Sequence, residues 1–238
     1  MHIDTGIISL IEMGADGTRS AQVDCSPKLI PHPGQYLQAH CPAEPDSALG
    51  WSLFPVGLPS SITDTDHPAP LSLAPIPRSW HPGTPLELRG PLGHGFTPPP
   101  ALQRLGLIAL GESAARLLPL IRPALADQAD VVIFSAAPLP AMPPAVEIQP
   151  LSALPEALAW ADFWALDLPV EKLPSLRQML GLEPQAYLPR PVQALLTLPL
   201  PCAGVGECGA CAVPLRRKSY ALACKDGPVF DLKQVDDW

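Results

Sequence analysis

Along residues 1–97 apolar and polar positions trade places in short runs: TGIISLIEM (5–13), SAQVDCS (20–26), GQYLQAHC (34–41), APLSLAPI (69–76) and PLELRG (85–90). Partial alternation at a period of two marks strands with one buried face, and each run is bounded by Gly, Pro, Asp or Ser, which turn the chain. Short strands at even spacing predict a small antiparallel barrel. Pro98, Pro99 and Pro100 then close the region, because no regular element runs through three successive prolines.

The pattern changes beyond them. LGLIAL (105–110) is a buried-strand run, Gly111 follows, ESAARLLPLIRPALAD (112–127) has helical spacing, and ADVVIFSAA (129–137) is strand-like again. Strand–helix–strand predicts a parallel α/β unit. A weaker cycle follows in VEIQPL (146–151), ALPEALAWAD (153–162) and FWALDLP (163–169). LPSLRQMLGL (173–182) predicts a helix ending at Gly181, and QALLTLPL (193–200) a last strand leading into Cys202. The expected organisation is a β-barrel over 1–99, an α/β nucleotide-binding-like domain over 100–198 and a small cysteine-rich lobe over 199–238. There are no internal repeats.

Composition narrows the class. Hydrophobic residues are 47% of 238, enough for a core. The 34 prolines sit inside apolar segments, which suits edge strands and rigid loops rather than a linker. A net charge of −8 argues against nucleic-acid or anionic-membrane partners. The start, MHIDTGIISLIEMG, lacks the basic region of a secretory signal. The most apolar long stretch, 151–170, is broken by Pro155, Glu156, Asp162, Asp167 and Pro169, so no membrane helix is expected. The expectation is a soluble, cytoplasmic chain.

The candidate chemistry lies near the C-terminus. CAGVGECGAC (202–211) and ACKDGPVFDL (223–232) place Cys202, Cys208, Cys211 and Cys224 within 23 positions, with glycines at 204, 206 and 209. The plant-type iron–sulfur spacing is C-x4-C-x2-C with a distant fourth cysteine; here the first gap is five and the rest fits. Glycines let backbone N–H groups approach cluster sulfides. Two alternatives stay open: a structural zinc, although only Cys208/Cys211 makes a CxxC knuckle, and a pair of disulfides, which needs an oxidising compartment. Cys25 and Cys41 read as small buried hydrophobes. The six histidines form no HxH or HxxxH pair. Trp160, Phe163 and Trp164 read as core or interface packing. The basic run Arg216, Arg217 and Lys218 reads as a solvated loop or a docking patch that favours a reduced cluster.

Barrel, α/β unit and four-cysteine end together resemble the electron-transfer subunit of class 1B dihydroorotate dehydrogenase, within the ferredoxin–NADP reductase-like group. CAGVGECGACAV followed by LACKDGPVF resembles that family's cluster lobe, PGTPLELRGPLGHGF (82–96) its flavin-facing strand and turn, and PGQYLQ (33–38) an early barrel strand. The resemblance implies a [2Fe–2S] cluster on Cys202, Cys208, Cys211 and Cys224, and FAD contacted by Ser61, Gly90, Gly93 and Gly95. It also implies a hetero-oligomer with an FMN-containing dihydroorotate dehydrogenase catalytic subunit in pyrimidine synthesis, with no catalytic residue in this chain. Two departures bear on the flavin and the nucleotide. In LPSSI (58–62) Leu58 stands where the family carries a pyrophosphate-pairing arginine, and an aliphatic side chain gives phosphate no charge-assisted bond. GESAA (111–115) puts Glu112 where three glycines usually open a phosphate seat, and ALDLP (165–169) replaces the segment that frames nicotinamide. Weak FAD binding and no productive NAD(P)H binding are expected. A reductase-type subunit serving a sulfur, hydrogen or ferredoxin oxidoreductase, and a zinc-bearing docking scaffold, are the rival readings.

Overall fold

The computed structural model describes residues 1–44, 50–58, 71–183, 188, 190–216, 219–236 and 238. Six strands, β1 (His2–Met13), β2 (Arg19–Cys25), β3 (Tyr36–His40), β4 (Trp51–Pro55), β5 (Leu71–Ala74) and β6 (Pro85–Leu92), close a barrel in the order β1-β2-β5-β4-β3-β6. Every pairing is antiparallel, and closure leaves no edge strand. The alternation read from the sequence is the inside–outside alternation of the barrel: Ile8, Val23, Leu37, Leu53, Leu73, Leu86 and Leu88 fill its interior. Strand β4 is the one the pattern does not announce. Its Leu53, Phe54 and Pro55 are buried in succession, so it has no period of two.

The α/β layer follows with β7 (Arg104–Ala109), α1 (Ile121–Ala126), β8 (Asp130–Ser135), β9 (Val146–Gln149), α2 (Leu154–Ala157), β10 (Phe163–Pro169), α3 (Leu173–Met179) and β11 (Val192–Thr197). After it come β12 (Ala212–Leu215) and β13 (Ser219–Leu222), which form a hairpin, and β14 (Val229–Asp231). The sheet order is β14-β11-β10-β7-β8-β9, parallel except for β14. Strand β10 is buried from Phe163 to Leu168, as a strand covered on both faces must be, and Asp167 is the one charged residue in that run.

The helices are shorter than the apolar spacing suggests. Residues 112–117 are turns and bends, Leu118–Leu120 is a 3-10 turn, and α1 begins only at Ile121. Pro123 has no N–H to give the carbonyl of Pro119, and its ring would clash there, so no helix runs through 112–127. Strand β14 returns antiparallel to β11 after the hairpin, so residues 229–231 complete the α/β sheet. One continuous core joins Tyr36, Phe54 and Phe96 of the N-terminal region to the sheet and to Val213, Ala223 and Cys224.

The tightest packing in the sheet faces Gly106. It pairs with Trp164 in the β7–β10 ladder, and a Cβ there would lie 2.1 Å from the buried indole. Gly106→Ala must displace a large, rigid ring. Overpacking of this kind costs about 1–3 kcal/mol, so the variant should unfold at lower urea with an unchanged slope.

Candidate functional site

The β12–β13 hairpin brings Cys211, just before β12, beside Cys224, just after β13. The amide of Ala223 donates to the carbonyl of Cys211 at 2.9 Å, and the two sulfurs stand 3.2 Å apart. Upstream, the amide of Val205 closes a turn onto the carbonyl of Cys202, and the sulfurs of Cys202 and Cys208 stand 3.5 Å apart. Both separations exceed a disulfide bond of about 2.05 Å. The four thiols are thus apposed two by two. Cys211 and Cys224 are buried, Cys202 is half-buried and Cys208 is exposed.

Electrostatics sets the two pairs apart. Backbone amides of Gly204 and Gly206 face the sulfur of Cys202 and hold its thiol down to about 7. Burial, then the neighbouring Cys211, pushes Cys224 up to about 12. The extra residue in the first loop is accommodated where Ala203, at φ 44°, and Gly204, at φ 83°, turn in the left-handed region. That conformation is costly for alanine, and Ala203 is held in it by burial and by Arg89, whose guanidinium donates to its carbonyl at 2.8 Å.

In the glycine-rich turn Gly93 meets the cysteine lobe, whereas Gly90 and Gly95 meet the N-terminal region. A Cβ on Gly93 would lie 2.3 Å from the carbonyl of Gly227, and one on Gly95 would lie 2.4 Å from that of Pro33. A Cβ on Gly90 would collide with Leu37. The amide of His94 donates to Gly227 at 2.5 Å, and the Tyr36 hydroxyl donates to the carbonyl of Cys224 at 3.0 Å. Ser61 lies outside the described residues, as do Arg217 and Lys218; Leu58 lines a cavity of about 350 Å³ together with Glu12 and Asp16.

A second feature lies where the sheet changes direction, at the carboxyl ends of β7 and β10, which is where ligands sit in open α/β sheets. A crevice of about 330 Å³ is lined there by Thr18, Glu112, Ser113, Arg116, Pro169 and Thr197. Its central element is an ion pair that sequence reading missed. Asp167 is fully buried, and Arg116 reaches it with Nε to Oδ2 at 2.8 Å and Nη2 to Oδ1 at 2.5 Å. Burial pushes the Asp167 carboxyl up from its ordinary value, while the guanidinium and the Thr197 hydroxyl pull the other way. The far face of the guanidinium lies 5.3 Å from the ring of Phe54, on the barrel. Residues 112–120 form no α-helix, so the connection after β7 offers the crevice no helix N-terminus, and its arginine is already engaged. These residues do not fit a dinucleotide phosphate. No helix among the described residues is long and apolar enough to cross a membrane.

Comparison with known proteins places the lobe. Residues 202–236 match the family model of the iron–sulfur cluster binding domain of dihydroorotate dehydrogenase B. No curated protein sequence matches the chain. Among solved structures, a chain of the NADH-dependent reduced ferredoxin–NADP oxidoreductase, described for flavin-based electron bifurcation, is similar with a TM-score of 0.70 at 16% identity. That match covers 97% of this chain and 89% of that one. Phthalate dioxygenase reductase is similar with a TM-score of 0.54 at 14% identity, over 98% and 77% of the two chains. A ferredoxin NADP+ reductase from Neisseria gonorrhoeae, with bound FAD and NADP, gives 0.53 at 10% identity, over 82% and 99%. The reductase-like fold expected from the sequence is borne out by these neighbours, and the resemblance of the cysteine segment by the family match.

Two outcomes follow from the geometry. Arg116→Ala would leave a buried carboxylate unpaired and should lower stability by about 3–5 kcal/mol, whereas the joint change Arg116→Met with Asp167→Leu should recover most of it in denaturant titrations. In metal-free protein the thiolate, not the thiol, is alkylated. Because the Cys202 pKa is lowered and that of Cys224 raised, iodoacetamide labelling of Cys202 should rise through about pH 7, while Cys224 stays protonated until about pH 12. Peptide mapping at pH 8 should therefore find Cys202 modified well before Cys224.

Proposed function

We propose that this chain is an iron–sulfur electron-transfer subunit whose Cys202, Cys208, Cys211 and Cys224 hold one [2Fe–2S] cluster. Its partner is the FMN-containing catalytic subunit of a dihydroorotate dehydrogenase, and it works in the cytoplasm. The observation that carries the reading is the two-by-two apposition of the thiols in a segment that matches a cluster-binding domain. When bound, the cluster supplies one-electron chemistry. The chain's own residues do the rest. The amides of Gly204 and Gly206 favour the thiolate of Cys202, the hairpin fixes Cys211 against Cys224, and exposed residues 207–210 bare one edge of the site to a partner. Arg216 stands exposed on the same lobe, where positive charge steers encounter with an acidic surface.

The reductase-like body serves in this reading as a rigid holder. The Arg116–Asp167 pair occupies the crevice at the switch point, so the chain neither oxidises NADH nor retains FAD at stoichiometry. Anaerobic purification with iron, sulfide, zinc and flavin quantitation tests the first half. Two irons and two sulfides per chain with little flavin are expected; stoichiometric zinc without iron, or tightly held FAD, would overturn it. Co-expression with a dihydroorotate dehydrogenase catalytic subunit tests the second. Stable co-purification and bleaching of the cluster on addition of dihydroorotate are expected, and separate proteins with an indifferent cluster would move the assignment to another oxidoreductase.

A further inference from the structure

Tyr36 opens β3 and is completely buried, yet its hydroxyl crosses from the barrel to the cysteine lobe. The phenol donates at 3.0 Å to the main-chain carbonyl of Cys224, a residue 188 positions away. A buried tyrosine needs a partner for its hydroxyl, and the partner here is the backbone of a thiol-bearing residue that is itself buried. The ring is fixed from behind: Phe54 packs against it at 5.6 Å, and the Arg116 guanidinium covers Phe54 in turn. The hydroxyl therefore has a held direction.

We propose that Tyr36 is a positioning residue for the metal centre: its hydroxyl holds the Cys224 backbone in place and raises the reduction potential of the cluster. This rests on the reading of Cys224 as a cluster ligand. Reduction adds negative charge at the site. A carbonyl oxygen beside that charge opposes it, and an O–H dipole directed at that oxygen offsets the opposition. Hydrogen bonding and local charge are among the terms that set cluster potentials, and in a buried site each counts for more than in water. A phenylalanine at position 36 keeps the ring and its packing but removes the donor.

The test is anaerobic redox titration of the cluster-loaded full chain, followed by visible absorption and by electron paramagnetic resonance. Tyr36→Phe should retain iron and sulfide, titrate at a more negative midpoint and show altered g-values. Phe54→Leu, which loosens the packing behind the ring but keeps the donor, should shift the midpoint by clearly less than Tyr36→Phe does. The opposite displacement comes from a stronger donor. The chain has three tyrosines; with Tyr187→Phe and Tyr220→Phe in place, 3-fluorotyrosine incorporated at position 36 alone should raise the midpoint. An unshifted Tyr36→Phe midpoint, or an equal shift in Phe54→Leu, overturns the proposal. Should Tyr36→Phe fail to load, the fluorotyrosine protein decides, and an unmoved midpoint there overturns it as well. A wild-type chain that assembles no cluster would instead overturn the reading of the four thiols, and this proposal with it.

Discussion

A carboxylate at zero exposure has to be answered by a cation, and much of this molecule is arranged around that requirement. Asp167 lies in β10, between β7 and β11, where no water can reach it. Its counter-charge, Arg116, comes from the connection after β7. A regular helix starting at Gly111 would set the residues of that connection in fixed helical directions. The prolines at 119 and 123 prevent it, and the irregular chain delivers the guanidinium to Asp167 instead. The same guanidinium lies over Phe54, Phe54 packs on Tyr36, and Tyr36 bonds the backbone of Cys224. Removing Arg116 would leave the Asp167 carboxylate buried and alone, whereas Arg116, partly exposed at the crevice wall, would keep some access to water without its partner.

The glycine-rich turn between β6 and β7 shows the same economy from the other side. Glycines in such a turn fit either a ligand or another stretch of backbone, since both need the space a Cβ would take. Here the space is taken by protein. The carbonyl of Gly227 fills the place beside Gly93, and that of Pro33 the place beside Gly95. The lobe meets this turn at Gly227, against Gly93 and the amide of His94 where no side chain would fit, and is held further by Arg89 and Tyr36.

The sequence made some of this legible and hid the rest for identifiable reasons. Strands with one wet face carry a period of two, so five of the six barrel strands could be read; β4, buried at three successive residues, carries no such signal. Strand β10 was legible only as part of a weaker α/β cycle, because Asp167 interrupts its apolar run. Helix length was not, because apolar spacing in ESAARLLPLIRPALAD satisfies a turn packed on a sheet as well as it satisfies a helix, and the prolines decide between them. The four cysteines announced themselves by spacing. The Asp167–Arg116 pair did not, because 51 positions separate the partners and nothing local in ALDLP or AARLL marks the acid as paired. The glycines of 90–95 were visible as special, but what approaches them was not: Gly227 reaches Gly93 from the far end of the chain, and Leu37 and Pro33 reach Gly90 and Gly95 from the barrel region.

The lobe also has to be stable, and at 202–236 it is too short to bury a core of its own. Chains below about 40 residues usually need a metal, disulfides or a partner to fold. This segment borrows its core from the body. Val213, Ala221, Ala223, Cys211 and Cys224 belong to the same apolar cluster as the α/β sheet, and β14 completes that sheet. The consequence is an asymmetric site. Cys211 and Cys224 are part of the folded interior, while Cys208 and its neighbours stand on an exposed loop. On the cluster reading, Cys211 and Cys224 would hold the group from the body and Cys202 and Cys208 from the loop. Linkage of metal binding to folding would then fall mainly on residues 202–210, where Ala203 is the one buried residue, rather than on the whole lobe. Exposed residues 207–210 would then turn the loop side of a bound cluster toward a partner, on the face that the body does not bury.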